Sequence, residues 1–253
     1  MKLNDIYALI DLYAPFSLSE RFIEKYEGYD NSGVMASMEG SVTGVLFSLD
    51  LTSAAVDKAI EKGCNVIVTH HPAIYHPIKS VCGAINKAVR NNIGVISCHL
   101  NLDVAKTGID YYFAKGLGAD KQEILCKLSD EEGYGRRFFV GKSLKEIRRH
   151  AEDKFNTTVL CYGHDDMHIN TVASFCGAGL GEEEAETDCD LLCSCDVKHN
   201  VIVKVVESGK ALLIFTHYSC EKYGLTKLYE AFSSFKGFDE NVKLYYFDDK
   251  RMF

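Results

Sequence analysis

Histidines and acidic residues follow three apolar stretches of this chain, and together they could bind metal ions. The stretches are CNVIVTHHP with His70 and His71, GVISCHLNLD with His99 and Asp103, and ALLIFTHYSCE with His217 and Glu221. Each apolar run is short and rich in Val, Ile or Leu, which is typical of a buried strand. Because ligands of α/β proteins bind beyond the carboxyl ends of strands, we predict that the three ends share one site. Mixed imidazole and carboxylate groups suit first-row divalent metals such as Zn, Fe, Mn or Ni.

The first two motifs also have simpler interpretations. His70 and His71 are adjacent, so in a regular strand they would point to opposite faces. Both can face one cavity if the chain turns there, as Pro72 allows; otherwise they are two surface histidines of a loop. Asp103 lies on the same side as His99 if the chain stays extended, or it caps the helix that follows.

The third motif has the most specific spacing. His217 and Glu221 are four residues apart, which on a helix brings their Cβ atoms to about 5–6 Å. Such a pair can bind one metal or bridge two, and it can also be an ordinary surface ion pair. Three such motifs at predicted strand ends favour the metal site over three separate simpler interpretations.

Alternating strands and helices are predicted to position these motifs in the first half of the chain. The helices are NDIYALIDLYA, TSAAVDKAIEKG, SVCGAINKAVRNN and TGIDYYFAKGLG, and the strands are SVTGVLFSLDLT, CNVIVT and GVISCH. Thr52 or Ser53 is the predicted cap of the second helix, and Gly63 ends it. This order predicts a mostly parallel sheet with helices on its faces.

The pattern changes near residue 128. KLSDEEGYGRRFFVGKSL is interpreted as a crossover, and SLKEIRRHAEDKF as a helix with a Ser143–Glu146 capping box. The later strands are TTVLCYG, INTVASFCGAG, DLLCSC, ALLIFTH and VKLYYFD, and the later helices are GEEEAETD, NVIVKVVESG and EKYGLTKLYEAFSSF. We therefore predict an α/β fold of two lobes, 1–128 and 129–253, with mixed or mostly parallel sheets and the metal site in the cleft between them. The closing segment is a candidate to pack back on the first lobe.

Composition narrows the classes of function. The 253 residues are 47% hydrophobic and 25% charged, an ordinary globular balance. The net charge of -8 argues against nucleic acid as a partner. The sequence has no apolar stretch of 18 or more residues and opens without a signal-peptide pattern. These observations predict a cytoplasmic protein without a membrane partner, whose ten cysteines are reduced thiols.

Two further motifs have structural interpretations. Cys189, Cys193 and Cys195 lie close together, so a thiolate zinc site is conceivable. Their spacing matches no standard zinc motif, and DLLCSC is typical of a buried strand in which cysteine acts as a small apolar residue. GAGLG at Gly177–Gly181 lacks the spacing of a phosphate-binding loop, so we predict a turn with positive φ.

VTHHP, HLNLD and HYSCE, in that order, resemble the Nif-three-like family of dinuclear metal centre, hexameric proteins. Many members of this family are called GTP cyclohydrolase type-two homologues. YDNSG at Tyr29–Gly33 is similar to the family's WDN-G segment, and SLDLT, GYGR, FCGAG and DVKHN match its other blocks. The chain departs from the family pattern in having Thr216 for glycine and Cys220 for threonine. The span from Gly135 to Thr157 is too short for the inserted domain of larger members.

The resemblance implies a set of ligands and an assembly. Two divalent metal ions per chain would be bound by His70, His71, Asp103, His217 and Glu221, with Glu221 as the bridge. His99, Asp196 and His199 would line the cavity or orient the ligands, and His99 or His199 would move a proton. The assembly would be a toroidal homohexamer.

Two functions follow as hypotheses. The first is a metal-dependent hydrolase, of cyclohydrolase or phosphoesterase type, acting on a small nucleotide-like or phosphorylated molecule. The alternative is a non-enzymatic assembly for metal storage, metal delivery or regulation. A structural role for the metals is a third interpretation, and it predicts that the metal-free protein unfolds or dissociates.

Overall fold

The structure, a computed structural model, describes residues 1–252. The predicted second lobe ends at residue 253, which lies outside the described residues. The described chain forms two compact units, one of residues 1–105 with 225–252 and one of residues 106–224. The predicted lobe boundary near residue 128 stays a prediction.

Helices and strands alternate along much of the chain. The helices are α1 Leu3–Tyr13, α2 Ser17–Tyr26, α3 Ser53–Lys62, α4 Gly83–Arg90, α5 Leu100–Asp103, α6 Ile109–Gly116, α7 Leu144–Phe155, α8 His199–Glu207 and α9 His217–Phe232. The strands are β1 Gly33–Ala36, β2 Gly44–Ser48, β3 Val66–Thr69, β4 Gly94–Ser97, β5 Glu123–Lys127, β6 Gly133–Ser143, β7 Leu160–Tyr162, β8 His168–Ser174, β9 Leu191–Cys195, β10 Ala211–Phe215 and β11 Lys243–Tyr246. Single 3₁₀ turns lie at Glu184–Glu186 and Lys250–Met252.

The first unit is built on a mostly parallel sheet, as predicted. Within residues 1–252 its strand order is β1-β4-β3-β2-β11, and β1 alone among these strands runs antiparallel to its neighbour. Every residue of β2, β3 and β4 is buried, because helices cover both faces of the sheet. Leu46 packs in a cluster with Val56 of α3, and Phe47 packs on the other side against Tyr229 and Phe232 of α9.

Local capping chemistry fixes the ends of two helices as predicted. The Thr52 hydroxyl accepts a hydrogen bond from the Ala55 amide (3.1 Å), and Gly63 ends α3 with φ 68°. At α7, the Ser143 hydroxyl accepts from the Glu146 amide (3.3 Å) while the Glu146 carboxylate accepts from the Ser143 amide (2.9 Å). Short sequence patterns therefore decide where both helices begin.

The second unit contains a mixed sheet. Its strands follow the order β5-β6-β8-β9-β10-β7, with β8, β9 and β10 parallel and the remaining pairs antiparallel. On one face, Phe175 and Leu192 pack with Val201 and Val205 of α8. Together, the two sheets confirm the predicted α/β class.

Two predicted segments differ from the structure. The supposed crossover contains the long strand β6, which pairs with both β5 and β8. The charged residues of this segment argued against a buried strand. Arg136 is nevertheless buried, because it forms an ion pair with Asp110 (3.0 Å). The predicted helix GEEEAETD forms only a 3₁₀ turn, because the Glu184 carboxylate accepts from the Gly181 amide (3.0 Å) and so closes the turn on itself. Among residues 1–252, every helix is too short or too polar to cross a bilayer.

Candidate metal-binding site

The first group of candidate ligands lies just beyond β3. The amides of His70 and His71 both donate to the main-chain oxygen of Leu49, at 3.1 and 3.0 Å. This shared acceptor turns the chain at the end of the strand, so the alternation that would separate two adjacent side chains no longer applies. The two imidazole ring centroids lie 5.0 Å apart. Adjacent histidines can therefore serve one cavity.

Each of these two rings is held at Nδ1. His70 is fully buried, and its Nδ1–H donates to the main-chain oxygen of Cys98 (2.8 Å). His71 is partly exposed, and its Nδ1–H donates to the Asp50 carboxylate (2.7 Å). Because an oxygen acceptor fixes the proton on Nδ1, the other nitrogen, Nε2, is the one that can ligate a metal.

His99 and Asp103 lie at the end of β4. The chain does not stay extended there: His99 caps α5, and the Asp103 amide donates to the His99 main-chain oxygen (3.0 Å). The predicted alternation is therefore wrong, and helical spacing brings the two residues together instead. Asp103 is buried, with Oδ1 3.6 Å from Nε2 of His70. His70, His99 and Asp103 each offer a ligand atom within 4.8 Å of the others, so they could hold a metal ion.

Asp30 positions His99, a role that sequence reasoning missed. Its Oδ1 accepts from Nδ1–H of His99 (2.8 Å), and its Oδ2 accepts from the hydroxyls of Ser19 and Ser32 (2.6 Å each). Burial alone would raise the pKa of Asp30, but the hydrogen bonds from His99, Ser19 and Ser32 outweigh it and hold the pKa at about 2. Asp30 lies in YDNSG, one of the motifs of the family resemblance, so the sequence did mark this residue as a candidate for the site.

Asp50 is the second residue that the sequence reasoning left without a role. It lies two residues after the end of the buried strand β2, much as His70 and His99 lie just after β3 and β4. The carboxyl ends of neighbouring parallel strands meet at one edge of a sheet, so this position was a usable signal. In the structure, the Asp50 carboxylate accepts from His71 and so orients its ring.

The second unit contains the remaining predicted ligands. Helix α9 begins at His217, and its first turn places Nε2 of His217 3.0 Å from Oε1 of Glu221. Nδ1–H of His217 donates to the Asp196 carboxylate (2.6 Å), so Asp196 holds the His217 ring. Glu221 is buried, whereas His199 is exposed at the start of α8. Within the part of the chain that the structure describes, His199 makes no hydrogen bond to Asp196, His217 or Glu221.

Gly177 lies directly against the Glu221 carboxylate. Its φ is +57°, which confirms the predicted positive-φ turn, and an ideal Cβ there would lie 2.7 Å from Oε1 of Glu221. The same Cβ would lie 3.7 Å from Nε2 of His217. Both the backbone conformation and the available space therefore require glycine at this position.

The cysteine cluster belongs to the core of the second unit. Burial raises the pKa of Cys189 to about 11, and it raises the pKa of Cys193 well above its usual range. These thiols are therefore protonated at neutral pH. In the described residues, no metal-capable group of three side chains includes a cysteine. The interpretation of DLLCSC as a buried strand is confirmed, because β9 is buried along its whole length.

The order and geometry of these residues agree with a known family. A sequence model of Duf34/NIF3 (NGG1p interacting factor 3) matches residues 1–251. The chain belongs to the Duf34/NIF3 family. This Duf34/NIF3 chain is 33% identical over 236 residues to a GTP cyclohydrolase 1 type 2 homolog of Clostridium acetobutylicum, covering 87% of this chain and 85% of the relative. A Clostridium perfringens protein of the same name is 29% identical over 91% of this chain and 90% of its own length.

Solved structures agree with this membership. The Duf34/NIF3 chain superposes on a hypothetical protein of Staphylococcus aureus with a TM-score of 0.85 and 26% identity, covering 98% of this chain and 96% of that one. It superposes on reduced HcgD from Methanocaldococcus jannaschii with a TM-score of 0.80 and 25% identity, covering 98% of both chains. The family resemblance predicted from the sequence is therefore confirmed.

Proposed function

We propose that this Duf34/NIF3 chain binds two divalent metal ions and uses them to hydrolyse a small nucleotide-like or phosphorylated molecule. The ligands would be His70, His71, Asp103, His217 and Glu221. One observation carries the proposal: the Nδ1–H of His70, His71, His99 and His217 each donates to an oxygen. Metal-binding histidines are usually held in this way, because the hydrogen bond fixes the ligating nitrogen and its direction.

The donor set fits divalent metals of the first transition row. Imidazole nitrogens and carboxylate oxygens suit Zn, Fe, Mn or Ni, and the two carboxylates offset part of the metal charge. When bound, such metals would supply a water whose pKa is lowered to about 7 and a positive charge beside the reacting oxygens. The relatives called GTP cyclohydrolase 1 type 2 homolog support a nucleotide-like substrate.

His99 has two candidate roles in this proposal. Its closeness to His70 and Asp103 supports a third ligand there. Its hydrogen bond to Asp30 supports proton transfer instead, because an ionised carboxylate at Nδ1 stabilises the protonated ring. A His99→Ala variant separates the roles: a ligand loses metal on substitution, whereas a proton carrier loses turnover and keeps the metal. His199, being exposed, is the weaker candidate for proton transfer.

The hydrolase proposal is tested with metal-loaded protein. Phosphate release from phosphate esters and ring opening of purine nucleotides are measured for the natural chain, Asp103→Asn and Glu221→Gln. Asp188→Asn is the control, because that carboxylate is fully exposed. We expect turnover in the natural chain and in the control, with turnover lost in both ligand variants. Turnover that survives both ligand substitutions contradicts the proposal. Bound metal that a chelator removes within minutes, with no turnover of any substrate, favours storage or delivery.

We also propose that the chain assembles as a toroidal homohexamer. This assembly is the one that the resemblance of the sequence motifs implies. Light scattering on purified protein is expected to give six times the chain mass of 28.2 kDa. A monomeric mass contradicts this assembly.

A further inference from the structure

An exposed group of aromatic rings lies beside His99 in the first unit. It consists of Tyr29, Tyr75 and His76, which we call the aromatic cluster. The Tyr29 and Tyr75 ring centroids are 5.3 Å apart at 83°, and Tyr29 stacks with His76 at 5.4 Å and 26°. Tyr29 is 46% exposed and Tyr75 is 39% exposed. Contiguous exposed apolar surface marks a binding site, whereas a single exposed ring does not.

Hydrogen bonds hold the cluster in place. The Tyr75 hydroxyl donates to the main-chain oxygen of Tyr29 (3.1 Å). Two residues after Tyr29, the Asn31 side-chain amide donates to the main-chain oxygen of Ile74, the residue before Tyr75 (2.5 Å). These two bonds join the YDNSG segment to the segment after His71, so the rings are ordered before any ligand arrives. A site ordered in advance loses less conformational entropy on binding.

The cluster is also connected to the candidate metal ligands. The Tyr75 ring centroid lies 6.0 Å from that of His99, with the ring planes at 90°. Tyr29 directly precedes Asp30, whose carboxylate holds Nδ1 of His99. A molecule whose oxygens reach the ligands around His99 would therefore extend over Tyr75 or Tyr29.

We propose that the aromatic cluster binds the base of a nucleotide by stacking, while His70, His99 and Asp103 would hold its phosphate through a bound metal. This inference rests on the proposed function and names its substrate class. Stacking is the recognition mode that fits the cluster, because every base has a π face and aromatic side chains accept bases with little sequence preference. The cluster consists of rings in stacked and edge-to-face contact, so a planar ring is the suitable occupant.

The test compares a nucleotide with the same molecule lacking its base. Calorimetry on metal-loaded protein measures the Kd of adenosine 5′-monophosphate, guanosine 5′-monophosphate and ribose 5-phosphate. We expect the natural chain to bind both nucleotides about fivefold to a hundredfold more tightly than ribose 5-phosphate. Tyr75→Leu and Tyr29→Leu should lose most of this preference and keep their affinity for ribose 5-phosphate. Tyr75→Phe should keep the preference, because it retains the ring.

Phe139→Leu is the matched control, since it removes an exposed ring (73% exposed) from the second unit. A base preference unchanged in both leucine variants overturns the inference. So does a change of oligomeric state in those variants without a change in ligand preference, because the cluster is then a contact with a second copy of the chain. Metal content is measured on every sample. Absent metal contradicts the proposed function, whereas bound metal and bound ribose 5-phosphate without any base preference contradict the stacking alone.

Discussion

Single side chains decide what the candidate site can bind. Each of His70, His71, His99 and His217 has its Nδ1 held by a carbonyl or carboxylate oxygen, so each presents Nε2. Three of those oxygens belong to carboxylates, those of Asp50, Asp30 and Asp196. A carboxylate at Nδ1 also makes the ring a stronger metal ligand. The candidate site therefore depends on residues that need not touch a metal.

The carboxylates behind His99 and His71 give the first prediction. Asp50→Asn weakens the acceptor for His71, so we expect metal affinity to fall about tenfold to a hundredfold. Asp30→Asn is expected to do the same only if His99 is a ligand. Competition with a chelator of known affinity measures both variants. Unchanged affinity in Asp50→Asn contradicts the role of the Asp50–His71 hydrogen bond.

Gly177 gives the second prediction. Gly177→Ala places a methyl group against the Glu221 carboxylate, whereas Gly209→Ala has the same problem of positive φ (+79°) with nothing within 4 Å. Positive φ should cost both variants about 1–2 kcal/mol of unfolding free energy in urea, and the contact with Glu221 should add to the loss in Gly177→Ala. Only Gly177→Ala should lose bound metal as well. Equal metal content in the two variants shows that Gly177 does not secure the position of Glu221.

Helices and strands place these side chains, and the sequence predicts the elements well where local patterns are strong. Strands β3, β4 and β10 are continuous apolar runs, and the caps at Thr52 and Ser143 mark helix starts. These elements position His70, His99 and His217, so the candidate ligands could be found without a structure.

Other elements could not be predicted because tertiary contacts decide them. Strand β6 carries Arg136, whose charge is compatible with burial only because Asp110 lies 3.0 Å away. The turn at His70 and His71 depends on the Leu49 carbonyl, and the orientation of His99 depends on Asp30, 69 residues distant in sequence. The spacing of apolar residues along the chain predicts helices and strands, but it does not predict which distant residues will be hydrogen-bond partners.

The start of α3 gives a prediction about pH. Hydrogen bonds from Arg251 (2.5 and 2.7 Å) hold the pKa of Asp249 at about 2, and Thr52 donates to the same carboxylate (3.1 Å). A carboxyl with a lowered pKa stabilises the folded state above its unfolded pKa of about 4 and loses this effect as pH falls towards 2. Natural protein should therefore be more stable than Asp249→Asn at about pH 7, and the difference should shrink towards about pH 3. Urea unfolding between about pH 3 and pH 7 measures this difference in unfolding free energy, with Asp188→Asn as the exposed control. A difference independent of pH contradicts this interpretation.

For the molecule as a whole, metal binding should couple to stability. A ligand that binds the folded chain alone raises its unfolding free energy, by about 2.7 kcal/mol at a free concentration of a hundred times Kd. Buried carboxylates such as Asp103 and Glu221 strengthen this coupling, because a bound cation compensates their charge. Chelation should lower Tm without unfolding the chain at room temperature if the metals serve chemistry rather than structure.

Metal content per chain is the most direct test of the proposed site. Mass spectrometry is applied to untagged protein purified without chelators, for the natural chain, Glu221→Ala and the exposed control Asp188→Asn. We predict about two divalent metals per chain in the natural protein and the control, with a sharp fall in Glu221→Ala. Natural protein that holds no metal after purification and takes up none from a solution of Zn, Fe, Mn or Ni would contradict the account.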